Sequence, residues 1–351
     1  MIGNIDKERI RRFETMIEQA NRIITLTHVR PDGDALGSSL GMFHFLLSRY
    51  NKTAKVLLPT PVPDSLKFLV DESARDHMFD YETSEAEVRK AISECDLAIC
   101  LDFNTLSRIE QLGGLISESS CSRILIDHHE EPGGGFDLSF SVQKISSTCE
   151  LLFHILMATE KISQDASRLP HRCAYSLMTG MTTDTNNFSN STYPSTLEMA
   201  SALIAAGVDR DDIIDKIERQ YTENRLRLLG HVLKDRMTIM PEGVSYIVLD
   251  KKTLDGYNIK EGDTEGFVNI PLSLAKVSMS IMLKEDKDRI RVSVRSKAGV
   301  SARLMAKSWF NGGGHEQASG GTLHIPEDIP SIEMAADYIE NAVHSFFNTK
   351  E

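Results

Sequence analysis

Apolar and polar positions follow two different periods along this chain. From Asn4 to Ala20 the apolar residues Ile10, Phe13 and Ile17 return every three to four positions, which predicts an amphipathic helix with a solvated charged side. The pattern then changes. In IITLTHVRPDGDALGS, residues 23–38, a run of β-branched residues and Leu stops at His28, Asp32 and Asp34, predicting a buried strand that ends where the polar residues begin. Pro31 and Gly33 mark a tight loop, and Ala35 to Tyr50 reads as a helix. KVLLP (55–59), LAICLD (97–102) and RILID (123–127) repeat the strand pattern, with helical patterns between them, so a mainly parallel sheet is expected. Two further helices are predicted at 147–159 and 166–179, the second ending at Gly180. Residues 195–236 carry two or three more helical patterns, and strand signals resume only at SYIVLD. The fold class is therefore α/β in two domains: an N-terminal mainly parallel sheet flanked by helices (1–194), a helical connector (195–236) and a smaller C-terminal α/β domain (237–351).

Composition agrees with this division and narrows the function. A chain of 351 residues exceeds what one core usually organises. A net charge of −12 without long blocks of like charge argues against long duplex DNA as a partner, because such affinity comes mainly from phosphate neutralisation. Five cysteines, Cys95, Cys100, Cys121, Cys149 and Cys173, form no C-x-x-C pair and are odd in number, so reduced, mostly buried thiols are expected. The N-terminal MIGNIDKERIRRF lacks the apolar core of a signal peptide, and no apolar run reaches membrane-spanning length. A cytoplasmic location with no membrane partner is the expectation.

What repeats is where the acids fall. Asp32 and Asp34 follow the first strand, Asp102 closes the third, Asp127-His128-His129 closes the fourth, and Asp184 follows the helix that ends near Gly180. Any one of these is most simply a helix cap, a turn former or a structural histidine. In a parallel sheet, however, strand ends gather at one edge, where open α/β folds bind their ligands. Carboxylates held close together repel unless a cation lies between them, so the set points to a metal site.

H-x-x-x-D-x-D at 28–34, the isolated Asp102, the triplet 127–129 and D-T-x-x-F at 184–188 resemble the motifs of the DHH phosphoesterase superfamily. G-G-G-H-x-x-A-S-G at 312–320 resembles the signature of the DHH-associated C-terminal domain. Length and paired domains are most similar to the branch of nano-RNases and pAp phosphatases. The resemblance implies two divalent cations, one held by His28, Asp32 and Asp102 and the other by Asp34, Asp102, His128 and Asp184, with Asp102 shared. Imidazole and carboxylate ligation without thiolate suits Mn(II), with Mg(II) or Co(II) as alternatives. Two such ions activate a water for attack at phosphorus. His129 would then contact phosphoryl oxygens or assist the leaving group, and Asp127 would orient His128 or a metal-bound water.

The second domain contributes a basic exception. Arg289 to Lys307 holds six Lys or Arg and no acid, and in RIRVSVR the basic residues alternate with Ile290, Val292 and Val294, so they share a face. Arg295, which can grip phosphate with two parallel hydrogen bonds, and Lys297 fall at the strand's end. Arg303 and Lys307 lie on a helix predicted at 299–309, where they read as its exposed side. The resemblance promotes Gly312, Gly313, Gly314 and His315 to a terminal-phosphate site, whereas Gly133 to Gly135 reads as a turn. A base could stack on Phe103, Phe188, Tyr193 or Phe267, each of which also reads as core.

The leading expectation is a metal-dependent phosphoesterase acting on very short single-stranded RNA, including linear dinucleotides, and on 3′-phosphoadenosine 5′-phosphate, with the substrate's far end held by the second domain. A cyclic-dinucleotide phosphodiesterase or a pyrophosphatase is the nearest rival, although R-S-K at 295–297 departs from the basic triplet of the latter family. A non-catalytic nucleotide sensor is the rival of another class, and such degenerate members lose a metal ligand, which this chain does not. Oligomeric state stays open, a homodimer being one option.

Overall fold

The computed structural model describes residues 6–218, 221–260, 262–287 and 289–348 and divides into two compact units, Met1–Gln220 and Tyr221–Glu351. The first is built on strands β1 (Ile23–Leu26), β2 (Lys55–Leu58), β3 (Met78–Asp80), β4 (Leu97–Leu101), β5 (Ser122–Asp127) and β6 (Leu138–Ser141). They lie in the order β3-β2-β1-β4-β5-β6, and every neighbouring pair is parallel. β4 shows why the strands read as unbroken apolar runs: Leu97, Ile99 and Leu101 enter one core cluster and Ala98 and Cys100 the other, so both faces are covered. Because the chain runs outward from β1 to β3 and again from β4 to β6, its direction of winding reverses between β1 and β4. That gap is the topological switch point of the sheet, where ligands of open α/β folds bind.

The helix Gly33–Phe45 is buried along its whole length and crosses the helix His171–Asp184 at very close range. A Cβ on Gly37 would stand 2.6 Å from the Ser176 carbonyl oxygen, and one on Gly180 only 2.3 Å from Cys149 Sγ. Glycine is thus required here by approach of the backbones. Two expectations are corrected by this packing. The helix predicted at 166–179 runs from 171 to 184, because Gly180 serves the crossing and does not end the helix, so Asp184 lies in its last turn. Asp34 is not a loop residue either, since Asp32 caps a helix that already begins at Gly33.

The first helix spans Lys7–Gln19 with Ile10, Phe13 and Ile17 buried, while Asn4 and Ile5 lie outside the described residues. The segment expected as a connector is shared between the units. Its helices Pro194–Ala205 and Arg210–Glu218 bury Met199, Leu203 and Ile213 in the first core, and Glu223–His231 buries Leu228 beside Val232 in the second.

The second unit carries β7 (Met237–Ile239), β8 (Val244–Leu249), β9 (Met279–Asp286), β10 (Arg289–Ser296), β11 (Gly313–Gly314) and β12 (Ala318–His324) in the order β11-β12-β10-β9-β8-β7. Among the described residues only the β8–β9 pairing of this sheet is parallel. The helices Ala302–Trp309 and Ala335–Asn348 cover its core, the first starting three residues later than predicted. Among the described residues no helix is long and apolar enough to cross a membrane.

Candidate metal centre

His28 lies two residues beyond β1 and Asp102 directly after β4, so the two flank the switch point, and His28 Nε2 stands 3.4 Å from Asp102 Oδ2. Asp102 takes a left-handed backbone conformation (φ 65°), uncommon for a residue with a side chain and typical of functional positions. Its N–H is still donated to the Ile126 carbonyl at 3.1 Å, continuing the bonding between β4 and β5. Asp32 caps the next helix through Oδ1, accepting the N–H groups of Asp34 and Ala35 at 3.0 Å each, and its Oδ2 lies 3.9 Å from His28 Nε2. His28 Nδ1 is 2.9 Å from the Val29 carbonyl oxygen, which can only accept. Nδ1 is therefore the donor, and this bond fixes the ring so that Nε2 faces the two carboxylates.

A second group meets on the other side of Asp102. His128 Nε2 lies 3.6 Å from Asp102 Oδ1, 3.6 Å from Asp184 Oδ2 and 3.9 Å from Asp34 Oδ2. His28, Asp32 and Asp102 form one cluster, and Asp34, His128 and Asp184 another, with ligand atoms within 4.8 Å of one another in each. Asp102 presents one oxygen to each histidine.

These separations fit a cation better than they fit hydrogen bonds. Nitrogen and oxygen atoms 3.4 to 3.9 Å apart are long for a hydrogen bond, yet two ligands about 2.1 Å from a common divalent ion have spacings of that order. Electrostatics agrees. Burial, then the charge of Asp32, raises the Asp34 pKa to about 6 even though its carboxylate accepts the N–H groups of Thr148 at 2.7 Å and Cys149 at 2.8 Å. Burial, followed by the charges of Asp34 and Asp32, pushes Asp102 and Asp184 well above the usual carboxylate range. Carboxylates that resist ionising together favour bound positive charge.

Asp127 is fully buried, and its carboxylate grips His129: Oδ1 lies 2.8 Å from His129 Nδ1, and Oδ2 accepts the His129 backbone N–H at 3.2 Å. The expectation that Asp127 orients His128 is corrected accordingly. Burial lowers the His129 pKa, but the bond to Asp127 and the charges of Asp102 and Asp127 outweigh it, and the net shift is upward.

Sequence reasoning missed Thr148. Besides its N–H bond to Asp34, its hydroxyl donates to Asp102 Oδ1 at 2.9 Å. The available signal was S-T-C-E at 147–150, where Ser147 caps the helix Thr148–Ala158 by accepting the Glu150 N–H at 3.0 Å. An ordinary helix start carries the same signal.

The candidates of the second unit are more occupied than expected. Arg289 and Arg291 turn to Asp286, with Nε–Oδ2 distances of 3.7 and 2.6 Å, which shortens the free basic face of β10. Arg295 Nη1 is shared between the Val294 and Ser319 carbonyls at 3.0 and 3.2 Å, and Lys297 Nζ donates to the Leu274 carbonyl at 2.8 Å. The N–H of Gly312 goes to the Ala306 carbonyl and that of His315 to the Ala318 carbonyl, so neither is offered to an anion. A Cβ on Gly312 would stand 1.9 Å from the Gly320 carbonyl oxygen, whereas one on Gly313 would meet nothing within 4 Å. Phe103 and Phe267 are core residues, while Phe188 and Tyr193 are partly exposed.

Residues 22–181 match the family model described as the DHH family, N-terminal domain, and residues 243–341 match the DHHA1 domain. The bifunctional oligoribonuclease and PAP phosphatase NrnA of Bacillus subtilis is 27% identical over 315 residues, covering 88% of this chain and 92% of that protein. Its namesake from Thermus thermophilus is 29% identical over 304 residues, covering 86% and 84%. The crystal structure of an exopolyphosphatase-related protein from Bacteroides fragilis superposes with a TM-score of 0.91 at 35% identity, covering 100% of both chains. With paired His and Asp clusters at the sheet's switch point and both domain models in order, the chain belongs to the DHH phosphoesterases, a family of metal-dependent hydrolases.

Proposed function

We propose that the protein hydrolyses phosphoester bonds of very short oligoribonucleotides, linear dinucleotides included, and converts 3′-phosphoadenosine 5′-phosphate to AMP. The observation that carries this reading is Asp102, whose two oxygens face two separate His and Asp clusters. His28, Asp32 and Asp102 would hold one divalent cation, and Asp34, Asp102, His128 and Asp184 a second. Mn(II) suits a donor set of imidazole and carboxylate. When bound, such a pair lowers the pKa of a water and offsets charge on the phosphoryl group.

The remaining steps belong to the chain's own residues. Asp127 holds His129 Nδ1, leaving Nε2 as the atom that carries a proton toward the leaving oxygen or bonds a phosphoryl oxygen. Arg295, its guanidinium pinned by two carbonyls, takes the substrate's terminal phosphate together with Lys297, and Gly313, Gly314 and His315 border that phosphate. Gly312 contributes by letting two backbones meet.

Metal-loaded protein incubated with pAp, a linear dinucleotide, a five-nucleotide RNA, cyclic di-AMP and pyrophosphate tests the reading, with Asp102→Ala as the inactive control. Release of AMP or mononucleotides is expected from the first three. Turnover of cyclic di-AMP alone, or of pyrophosphate alone, would replace it. Wild type no more active than Asp102→Ala on any of the five would make nucleotide sensing the better account.

A further inference from the structure

Thr148 is completely buried and touches two of the three carboxylates that face His128, those of Asp34 and Asp102. Its backbone N–H donates to Asp34 Oδ2 at 2.7 Å, and its Oγ1 donates to Asp102 Oδ1 at 2.9 Å. These are the same oxygens that stand 3.9 and 3.6 Å from His128 Nε2. The opposite oxygen of Asp102 faces His28 at 3.4 Å. The torsion that turns a carboxylate about its Cβ–Cγ bond is soft and broad, so the side chain's own preference does not keep one oxygen on each side. A hydroxyl fixed at a helix start does. The helix Thr148–Ala158 supplies that rigidity, because the Thr148 and Cys149 N–H groups are both fastened to Asp34.

We infer that Thr148 is a positioning residue: its hydroxyl sets the rotation of Asp102 so that one carboxylate is shared between two cation positions, and its backbone ties that setting to Asp34. The inference rests on the two-cation reading and adds the element that makes the sharing possible. Thr148→Val keeps the shape and the N–H bond to Asp34 while removing the hydroxyl, and Thr148→Ser restores it.

The test is Mn(II) titration followed by electron paramagnetic resonance, which separates free ions, isolated bound ions and exchange-coupled pairs. Wild type is expected to take two ions and give the coupled signal. Thr148→Val should bind its second ion about 10- to 100-fold more weakly and lose the coupled signal at stoichiometric metal. Thr148→Ser should regain both properties, which a merely structural role for the side chain would not produce. If wild type and Thr148→Val both bind two coupled ions with the same affinity, the inference is wrong and the two-cation reading survives. Wild type saturating at one ion would overturn both. Thr148→Ala, read in the same way, replaces the valine variant if that variant does not fold.

Discussion

Glu150 lies in the first turn of the helix whose start holds Asp34 and Asp102, and it is a buried carboxylate that stays charged. Burial alone would raise its pKa, but the nearby His154, its Nε2 3.7 Å from Glu150 Oε1, together with hydrogen bonds from Ser146, Ser195 and Thr196, outweighs burial and brings it from 4.5 down to about 2. The Thr196 hydroxyl donates at 2.7 Å and the Ser146 N–H at 3.2 Å, with the Ser146 hydroxyl also bonded. A carboxylate with a depressed folded-state pKa contributes stability that is fully present above its unfolded pKa and is lost as pH falls through the folded one. The window therefore runs from about 4.5 down to about 2, and the contribution is on the order of 3 kcal/mol. Glu150→Gln should be less stable than wild type at pH 7 and should lose correspondingly less between pH 4.5 and 2, measured by urea unfolding across a pH series. Parallel stability curves for the two proteins would show that Glu150 titrates alike in both states.

Helices that cross at close range put a second demand on single positions, and here stability and the site are tied together. A Cβ on Gly180 would meet Cys149 Sγ at 2.3 Å and both Asp34 Cα and the Gly33 carbonyl oxygen at 3.0 Å. Gly180→Ala is predicted to cost about 1–3 kcal/mol by overpacking, and to weaken Mn(II) uptake because the group displaced carries Asp34. Gly230, inside the helix Glu223–His231 with nothing within 4 Å of its would-be Cβ, should respond oppositely. Gly230→Ala is expected to gain about 0.5–1 kcal/mol, so thermal unfolding of the two variants should move in opposite directions. The same glycine explains part of what the sequence did and did not disclose. Strands buried on both faces, such as β1 and β4, are legible as unbroken apolar runs, whereas β3 and β6 are short edge strands, Met78–Asp80 and Leu138–Ser141, whose polar residues interrupt any apolar run. Gly180 reads as a helix stop because close approach and helix termination ask for the same residue. The acids and histidines stood out by their repeated place after strands, but their convergence depends on strand order, which puts β4 beside β1 against the order of the chain. Thr148 stayed hidden because a threonine that spans two acids looks the same in sequence as one that starts a helix.

At the scale of the whole molecule, each unit encloses its own apolar clusters, and both His and Asp clusters of the metal centre lie within Met1–Gln220. Cations that relieve repulsion among Asp34, Asp102 and Asp184 bind the folded first unit and not its unfolded chain, so by mass action they stabilise that unit. At a hundred times the dissociation constant the gain is about 2.7 kcal/mol per ion. The chain has one tryptophan, Trp309, packed against the core of the second unit, so its fluorescence reports that unit alone. Far-UV circular dichroism reports both units. Saturating Mn(II) should therefore raise the melting transition seen by circular dichroism while leaving the tryptophan transition in place, and chelation should reverse the change. If the two signals rise together, the units unfold as one cooperative body and the cation stabilises both. If neither moves, the carboxylates at the switch point do not hold the ion, and the two-cation reading falls on a measurement independent of activity.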